Sequence, residues 1–314
     1  MSERYALILG AMKAGTTALY NALSRHPGFA PCGEKEPAYW VLDESRGRGM
    51  EGYRKLWTEA AGDGRWRLEG STEYTKMPVR PSAAPFLAKQ DAEFRFIYLT
   101  RNPVRRIRSQ YSHALAEGWL QKPIHEELHP RTVWFSNYRV QLQPYIDFFG
   151  RESILVMSHE ELTHKPTASL KRVCEFFELD PSLMSMELPR ANDSVYYRTI
   201  NLRRCLEAFG LADPTPPGQS ARWIAEPTLL GEARRRADAL GRPELVDAAR
   251  AEVEREVSPS PEQEAHIQEA LEEDLRRFED TWGLDPWTGQ RSSSGSEPGH
   301  DHLVRPEQGS VTTR

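Results

Sequence analysis

An α/β fold, with a doubly wound parallel sheet flanked by helices and a helical C-terminal region, is what this 314-residue sequence predicts. Three observations predict it. Short apolar runs without polar alternation, YALILG at 5–10 and RFIYLT at 95–100, have the composition of strands buried on both faces of a parallel sheet. Between and after them lie segments with apolar residues three and four apart, so strands alternate with helices. The first run ends in glycine, at a short loop that opens a helix.

In chain order, residues 5–10 form the first strand. Ala18, Leu19, Ala22 and Leu23 give the following helix an apolar face, and it must stop before Pro27, because a residue ahead of proline is pushed out of the helical region. WRLEGS (66–71) is a second strand and 95–100 a third. A helix follows Pro103, whose fixed φ suits a first helical turn. Asn137 to Phe149 is helical, with a kink at Pro144. ESILVMS (152–158) is a fourth strand. Leu170, Val173, Cys174 and Phe177 then mark an amphipathic helix.

The stretch 206–262 is rich in Ala, Arg, Glu and Pro and shows no strand pattern. It reads as a variable helical segment packed on the sheet domain, a lid or a specificity region. Ile267, Leu271, Leu275, Phe278 and Trp282 define a long amphipathic helix ending near Gly283. One domain therefore spans 1–290, and 291–314, which lacks periodicity, is expected to be a disordered tail.

A chain with 39% hydrophobic and 28% charged residues is globular and long enough to bury a large core. Its net charge of −5 argues against non-specific nucleic-acid binding, although a local basic pocket can still hold an anion. Cys32, Cys174 and Cys205 are widely spaced, without a metal-ligand pattern. The apolar run at Tyr5–Gly10 is too short for a signal-peptide core or a membrane span. The expectation is a cytoplasmic protein without a membrane span.

Chemistry concentrates first in the loop Gly10-Ala11-Met12-Lys13-Ala14-Gly15-Thr16-Thr17. Between a strand and a helix, backbone N–H groups and the helix dipole converge on an anion, and glycines let the ligand approach. Gly10 and Gly15 match the spacing of the nucleotide P-loop, GxxxxGK[ST]. Thr16, however, stands where that motif has lysine, and Lys13 lies inside the loop. This is a P-loop-like phosphate grip without the standard Mg²⁺-triphosphate arrangement. The competing reading is a plain glycine turn with Lys13 in solvent.

A second cluster follows the strand at 95–100. Arg101 stands at its carboxyl end, where open α/β sheets bind ligands, and Ser109 lies two helical turns on. An arginine fork with a hydroxyl makes an anion clamp. Arg105, Arg106 and Arg108 read as a solvated basic helix start. Two anion grips on one sheet suit a ligand with phosphates at two ends, such as 3′-phosphoadenosine 5′-phosphosulfate (PAPS).

KAGTTALYNALSRHPGF (13–29) resembles the 5′-phosphosulfate loop of the sulfotransferase family, and LTRNPVRRIRSQY (99–111) resembles its 3′-phosphate motif. The likeness is greatest to bacterial and Golgi heparan-sulfate-type members. It extends over CGEKEPAYW (32–40), LEGSTEYT (68–75), 137–181 and 271–287. The resemblance implies a PAPS-dependent enzyme needing no metal and releasing 3′-phosphoadenosine 5′-phosphate (PAP). It gives Lys13 the charge on the leaving phosphate, Ala14, Gly15, Thr16 and Thr17 the 5′-phosphate, and Arg101 and Ser109 the 3′-phosphate. It makes Glu36 the general base, with Glu34 as competitor and His26 as a lesser candidate. Glu69 matches a position near the family's substrate cleft, but Gly70 replaces the usual lysine neighbour. The family's late nucleotide-covering loop is missing from its expected place, 191–204, where Tyr197 and Arg198 could contact the cofactor instead. The acceptor implied is a small metabolite, a natural product or a glycan. Two other readings stay open: a P-loop kinase using ATP and Mg²⁺, and a nucleotide-binding module without catalysis.

Overall fold

The computed structural model describes residues 3–57, 64–188, 193–213 and 226–292, with the side chains of 193–195 excepted. Five parallel strands form the central sheet: β1 (Arg4–Gly10), β2 (Phe29–Pro31), β3 (Trp66–Gly70), β4 (Glu93–Thr100) and β5 (Ile154–Ser158), in the order β2-β3-β1-β4-β5. The chain leaves β1 toward β3 and later returns to pair β4 on its other side. β1 is thus the topological switch point, where such sheets bind ligands beyond their carboxyl ends. Tyr5 to Leu9 are all fully buried, as an unalternating apolar run requires.

The helices that matter for the site are α1 (Thr16–Leu23), α2 (Pro103–Ala116), α3 (Tyr138–Phe149), α4 (His159–His164), α5 (Pro166–Phe176), α6 (Asp193–Ala208), α7 (Glu226–Ala239), α8 (Glu244–Val257) and α9 (Pro261–Trp282). Four predicted strands and the helical periodicities match, and Pro144 lies inside α3. The fourth strand is shorter than predicted, because Arg151–Ser153 forms a 3-10 turn before it. β2 had no periodicity to betray it: it is three residues long and ends in Pro31, which a sheet tolerates at its edge.

α9 buries Ile267, Leu271, Leu275 and Phe278, each worth about 1.5–3 kcal/mol relative to exposure. A capping box at Ser260 and Gln263 starts it, and Gly283 in the left-handed region (φ 59°) ends it. Beyond it, Leu284–Asp285 pairs antiparallel with Gln290–Arg291. Arg291 therefore belongs to the fold: it bonds Glu161 at 2.9 Å and the Val156 carbonyl at 2.8 Å. Residues 293–314, expected to be a tail, lie outside the described residues.

The segment expected to be helical at 206–262 shares a second core with α6. Leu202, Cys205, Leu206, Leu229, Ala233, Val246 and Val253 are buried together, apart from the core around the sheet. It meets the sheet domain through α2, where Asn201 donates to the Ser112 carbonyl (2.9 Å) and Arg108 pairs with Glu254. Residues 214–225 of this segment lie outside the described residues. The described cysteines Cys32, Cys174 and Cys205 are free and buried.

Candidate active site

The loop after β1 is tied down from several directions. The Ala11 N–H donates to the Leu99 carbonyl of β4 (2.7 Å), and the Ala14 N–H to the Ala11 carbonyl (3.1 Å). Lys13 and Gly15 both adopt positive φ, 66° and 95°. For Lys13 that conformation costs about 1–2 kcal/mol, and such strain gathers at working sites. Gly15 has a second constraint, since a Cβ there would lie 2.9 Å from His159 Nδ1. The first α1 bond runs from the Leu19 N–H to the Gly15 carbonyl (3.2 Å), so the N–H groups of Thr16, Thr17 and Ala18 precede the helical ladder. Such N–H groups, together with the helix dipole, can take an anion, the role that the sequence suggests for this loop.

Arg101 follows β4 directly. Its Nη1 donates to the Lys13 carbonyl at 2.8 Å, and its own carbonyl accepts from the Tyr138 hydroxyl at 2.6 Å. Its Nε is buried without a partner among the described residues. Burial pushes the guanidinium below its ordinary pKa, with the Glu160 charge opposing. An unsatisfied guanidinium N–H beside a strand-end loop fits an anionic ligand. Ser109 is half-buried on α2.

Arg106 corrects the sequence reading of a solvated arginine row. It is fully buried and bonds Ser136 Oγ (2.7 Å), Gln110 Oε1 (2.8 Å) and the Thr132 carbonyl, so it braces α2 against the following turn. Arg108 is paired with Glu254, and only Arg105 is exposed.

Glu36 is exposed in the loop after β2, with φ 54°. Its Oε2 accepts from Thr72 Oγ1 at 3.1 Å. The turn that follows β3, Thr72–Thr75, also reaches β1, because Thr75 Oγ1 donates to the Leu9 carbonyl at 2.7 Å. The same turn thereby joins Glu36 to the strand that launches the Lys13 loop. Gly10 is required there, since a Cβ would lie 2.4 Å from Thr75 Oγ1. Glu34 is exposed in the same loop as Glu36.

Glu69 is buried at 0% exposure rather than lining a cleft. Burial raises its carboxyl pKa, while hydroxyls of Tyr53 and Ser71 (2.7 Å) donate to it and oppose the rise. Ser71 Oγ in turn accepts from the Ala38 N–H at 3.0 Å, so this carboxyl anchors the loop that carries Glu36. His26 is 2% exposed: its Nδ1 accepts from the Gly28 N–H (2.9 Å) and its Nε2 meets the Asp180 carbonyl (3.0 Å). It locks a turn.

Of the late pair, Tyr197 reaches the loop and Arg198 does not. Lys13 Nζ lies 4.6 Å from the centre of the Tyr197 ring, which packs on His113 with centroids 4.2 Å apart. Arg198 instead pairs with Glu226 at 2.6 Å, within the helical segment. Residues 191–192 of the stretch around this pair lie outside the described residues.

His159 had no signal in the sequence. It is the first residue of α4, and its Nδ1 lies 3.2 Å from the Ala14 carbonyl. Burial, then the Arg101 charge, push its pKa down to about 4. A capping box between Ser158 and Glu161 starts this helix.

A five-stranded parallel sheet with a glycine–lysine–threonine loop at its switch point and an arginine just past the adjacent strand defines a P-loop-like α/β protein. The chain belongs to the sulfotransferase domain family, whose model matches residues 3–198, more than half of it. It is 29% identical over 189 residues to mouse heparan sulfate glucosamine 3-O-sulfotransferase 3A1, covering 55% of this chain and 45% of that protein. It is 28% identical over 184 residues to human heparan sulfate glucosamine 3-O-sulfotransferase 6, covering 55% and 52%. The chain thus spans about half the length of these relatives. A solved sulfotransferase from Alicyclobacillus acidocaldarius superposes with a TM-score of 0.49 at 21% identity, covering 77% of this chain and 97% of that one.

Proposed function

We propose that this chain transfers a sulfuryl group from PAPS to an acceptor hydroxyl or amine. The observation that carries the reading is the double grip at the sheet's carboxyl edge: the Lys13–Thr17 loop opening α1, with the buried Arg101 Nε, which has no partner among the described residues, beside it. Family membership supports the same reading.

When bound, PAPS supplies an activated sulfuryl group and leaves as PAP. Lys13 sets a positive charge where the leaving phosphate gains negative charge, an electrostatic contribution aimed at the transition state. Ala14, Gly15, Thr16 and Thr17 hold the 5′-phosphate end by backbone N–H and hydroxyl donors. Arg101 and Ser109 hold the 3′-phosphate. Glu36, exposed and oriented by Thr72, accepts the acceptor proton as its oxygen or nitrogen attacks sulfur in line. Tyr197 covers Lys13 from α6 and contributes to the cofactor side of the site. The segment 206–262 supplies acceptor specificity. The acceptor class is a small metabolite, a natural product or a glycan.

The test is a screen of such acceptors with ³⁵S-labelled PAPS in EDTA, with PAP release measured alongside. Labelled product and stoichiometric PAP without metal support the reading. Turnover that needs ATP and Mg²⁺ overturns it in favour of a kinase, and PAP binding with no sulfation of any acceptor favours a non-catalytic module.

A further inference from the structure

β4 and β5 end in register, with Thr100 paired to Ser158. The next residue on each strand leaves the sheet toward the same loop. Arg101 Nη1 donates to the carbonyl of Lys13 at 2.8 Å, and His159 Nδ1 sits 3.2 Å from the carbonyl of Ala14. Two neighbouring side chains therefore hold two consecutive carbonyls of the anion loop. A carbonyl oxygen only accepts, so the His159 proton is on Nδ1. The low basicity of the buried ring agrees with a neutral imidazole near pH 7. The ring also fills the space a Cβ at residue 15 would take, 2.9 Å from Nδ1, so it requires glycine at this point of the loop.

We propose that His159 is a positioning residue for the 5′-phosphate grip: together with Arg101 it turns the Lys13 and Ala14 carbonyls into the protein, leaving the N–H groups that open α1 to face the ligand. The reason is electrostatic. A carbonyl dipole turned toward a phosphate repels it, and a loop free to flip its peptides must be ordered at the moment of binding. A donor on the protein side of each carbonyl removes both costs. The inference rests on the PAPS reading above, because it assigns the loop to the 5′-phosphate.

The test compares PAP with adenosine 3′-monophosphate, which lacks the 5′-phosphate, by calorimetric titration of the full chain. The variants are His159→Phe, which keeps a ring without the donor, and His159→Asn, which returns an N–H donor near the Nδ1 position. The expected result is that His159→Phe weakens PAP about tenfold, the equivalent of one neutral hydrogen bond, and leaves adenosine 3′-monophosphate within about twofold. His159→Asn restores most of the PAP affinity. Equal losses for both nucleotides, unchanged PAP affinity in His159→Phe, or failure of Asn to do better than Phe overturns the proposal. Should the Phe variant not fold, His159→Ala against His159→Asn gives the same comparison. A wild-type chain that binds neither nucleotide sinks the PAPS reading itself, an outcome distinct from all of these.

Discussion

Lys13 Nζ lies 4.6 Å from the centre of the Tyr197 ring, so the cation of the loop after β1 is covered by a side chain from α6. The contact links the loop proposed to hold the 5′-phosphate to α6, which shares its core with the segment proposed to set acceptor specificity. A cation over an aromatic face is worth about 0.5–2 kcal/mol, depending on desolvation. Lys13→Ala should lower kcat by about 10²–10³, the cost of one lost charge-stabilising donor. Tyr197→Phe should stay near wild type, since it keeps the ring, whereas Tyr197→Ala should raise the KM for PAPS. Steady-state kinetics at varied PAPS checks both, and full activity in Lys13→Ala would show that the loop is not the reacting site.

Glu36→Gln should retain PAP affinity and lose about 10²–10⁴ in kcat, the range for a general base. Thr72→Val, which removes the hydroxyl that Glu36 Oε2 accepts from, should show a smaller loss of the same kind. PAP titration set beside single-turnover rates separates the two effects. Weakened PAP binding with a normal rate would move Glu36 out of the base role.

Arg101→Ala should weaken PAP by about 1.5–3 kcal/mol, as expected for a lost charge-assisted bond. Arg106→Ala should instead act on stability, because its guanidinium is fully buried and bonds Ser136, Gln110 and Thr132. Denaturant titration and PAP titration of the two variants should give opposite rankings.

Acid should destabilise the fold partly through His159. Its pKa falls from 6.5 to about 4 on folding, with burial the larger cause and the Arg101, His164 and Arg105 charges adding to it. The unfolded chain therefore binds the proton more tightly. The stabilisation is complete above pH 6.5 and is lost as pH falls to about 4, by at most about 3 kcal/mol. Thermal midpoints between pH 7.5 and 4 should drop less steeply in His159→Asn than in wild type. Parallel slopes would mean that the imidazole does not titrate as its surroundings require.

His26→Ala should lower stability and leave kcat unchanged once folded, because both ring nitrogens are engaged with backbone at Gly28 and Asp180. A selective loss of kcat in a protein of normal thermal midpoint would restore it as a catalytic candidate.

Much of the candidate site's placement was legible because it depends on local chain order. The Lys13 loop is a strand, a glycine turn and a helix start within one short stretch, and Arg101 simply follows a strand. Arg106 was misread because a basic run after a proline looks the same whether it meets water or a buried turn. Its partners come from Ser136 and Thr132, far along the chain. His159 was invisible for the same reason: its partner, Ala14, is 145 residues away. The second core was half legible, since helices were expected but not that Leu202 and Leu206 of α6 would join Leu229 and Val246 rather than the sheet.

By itself, then, the order of residues determined the strands at 5–10 and 95–100, the glycine–lysine loop between strand and helix, the amphipathic α9 and the placing of Lys13 and Arg101 at strand ends, because hydrophobic period and glycine placement act over a few residues, whereas Glu36 was a candidate through the family resemblance alone. Only the tertiary structure decided that β4 and β5 end in register, so that Arg101 and His159 grip consecutive carbonyls of that loop, and that Glu69 holds the Glu36 loop from inside the core. Those are pairings between distant segments, set by strand register and by the need to satisfy buried polar groups.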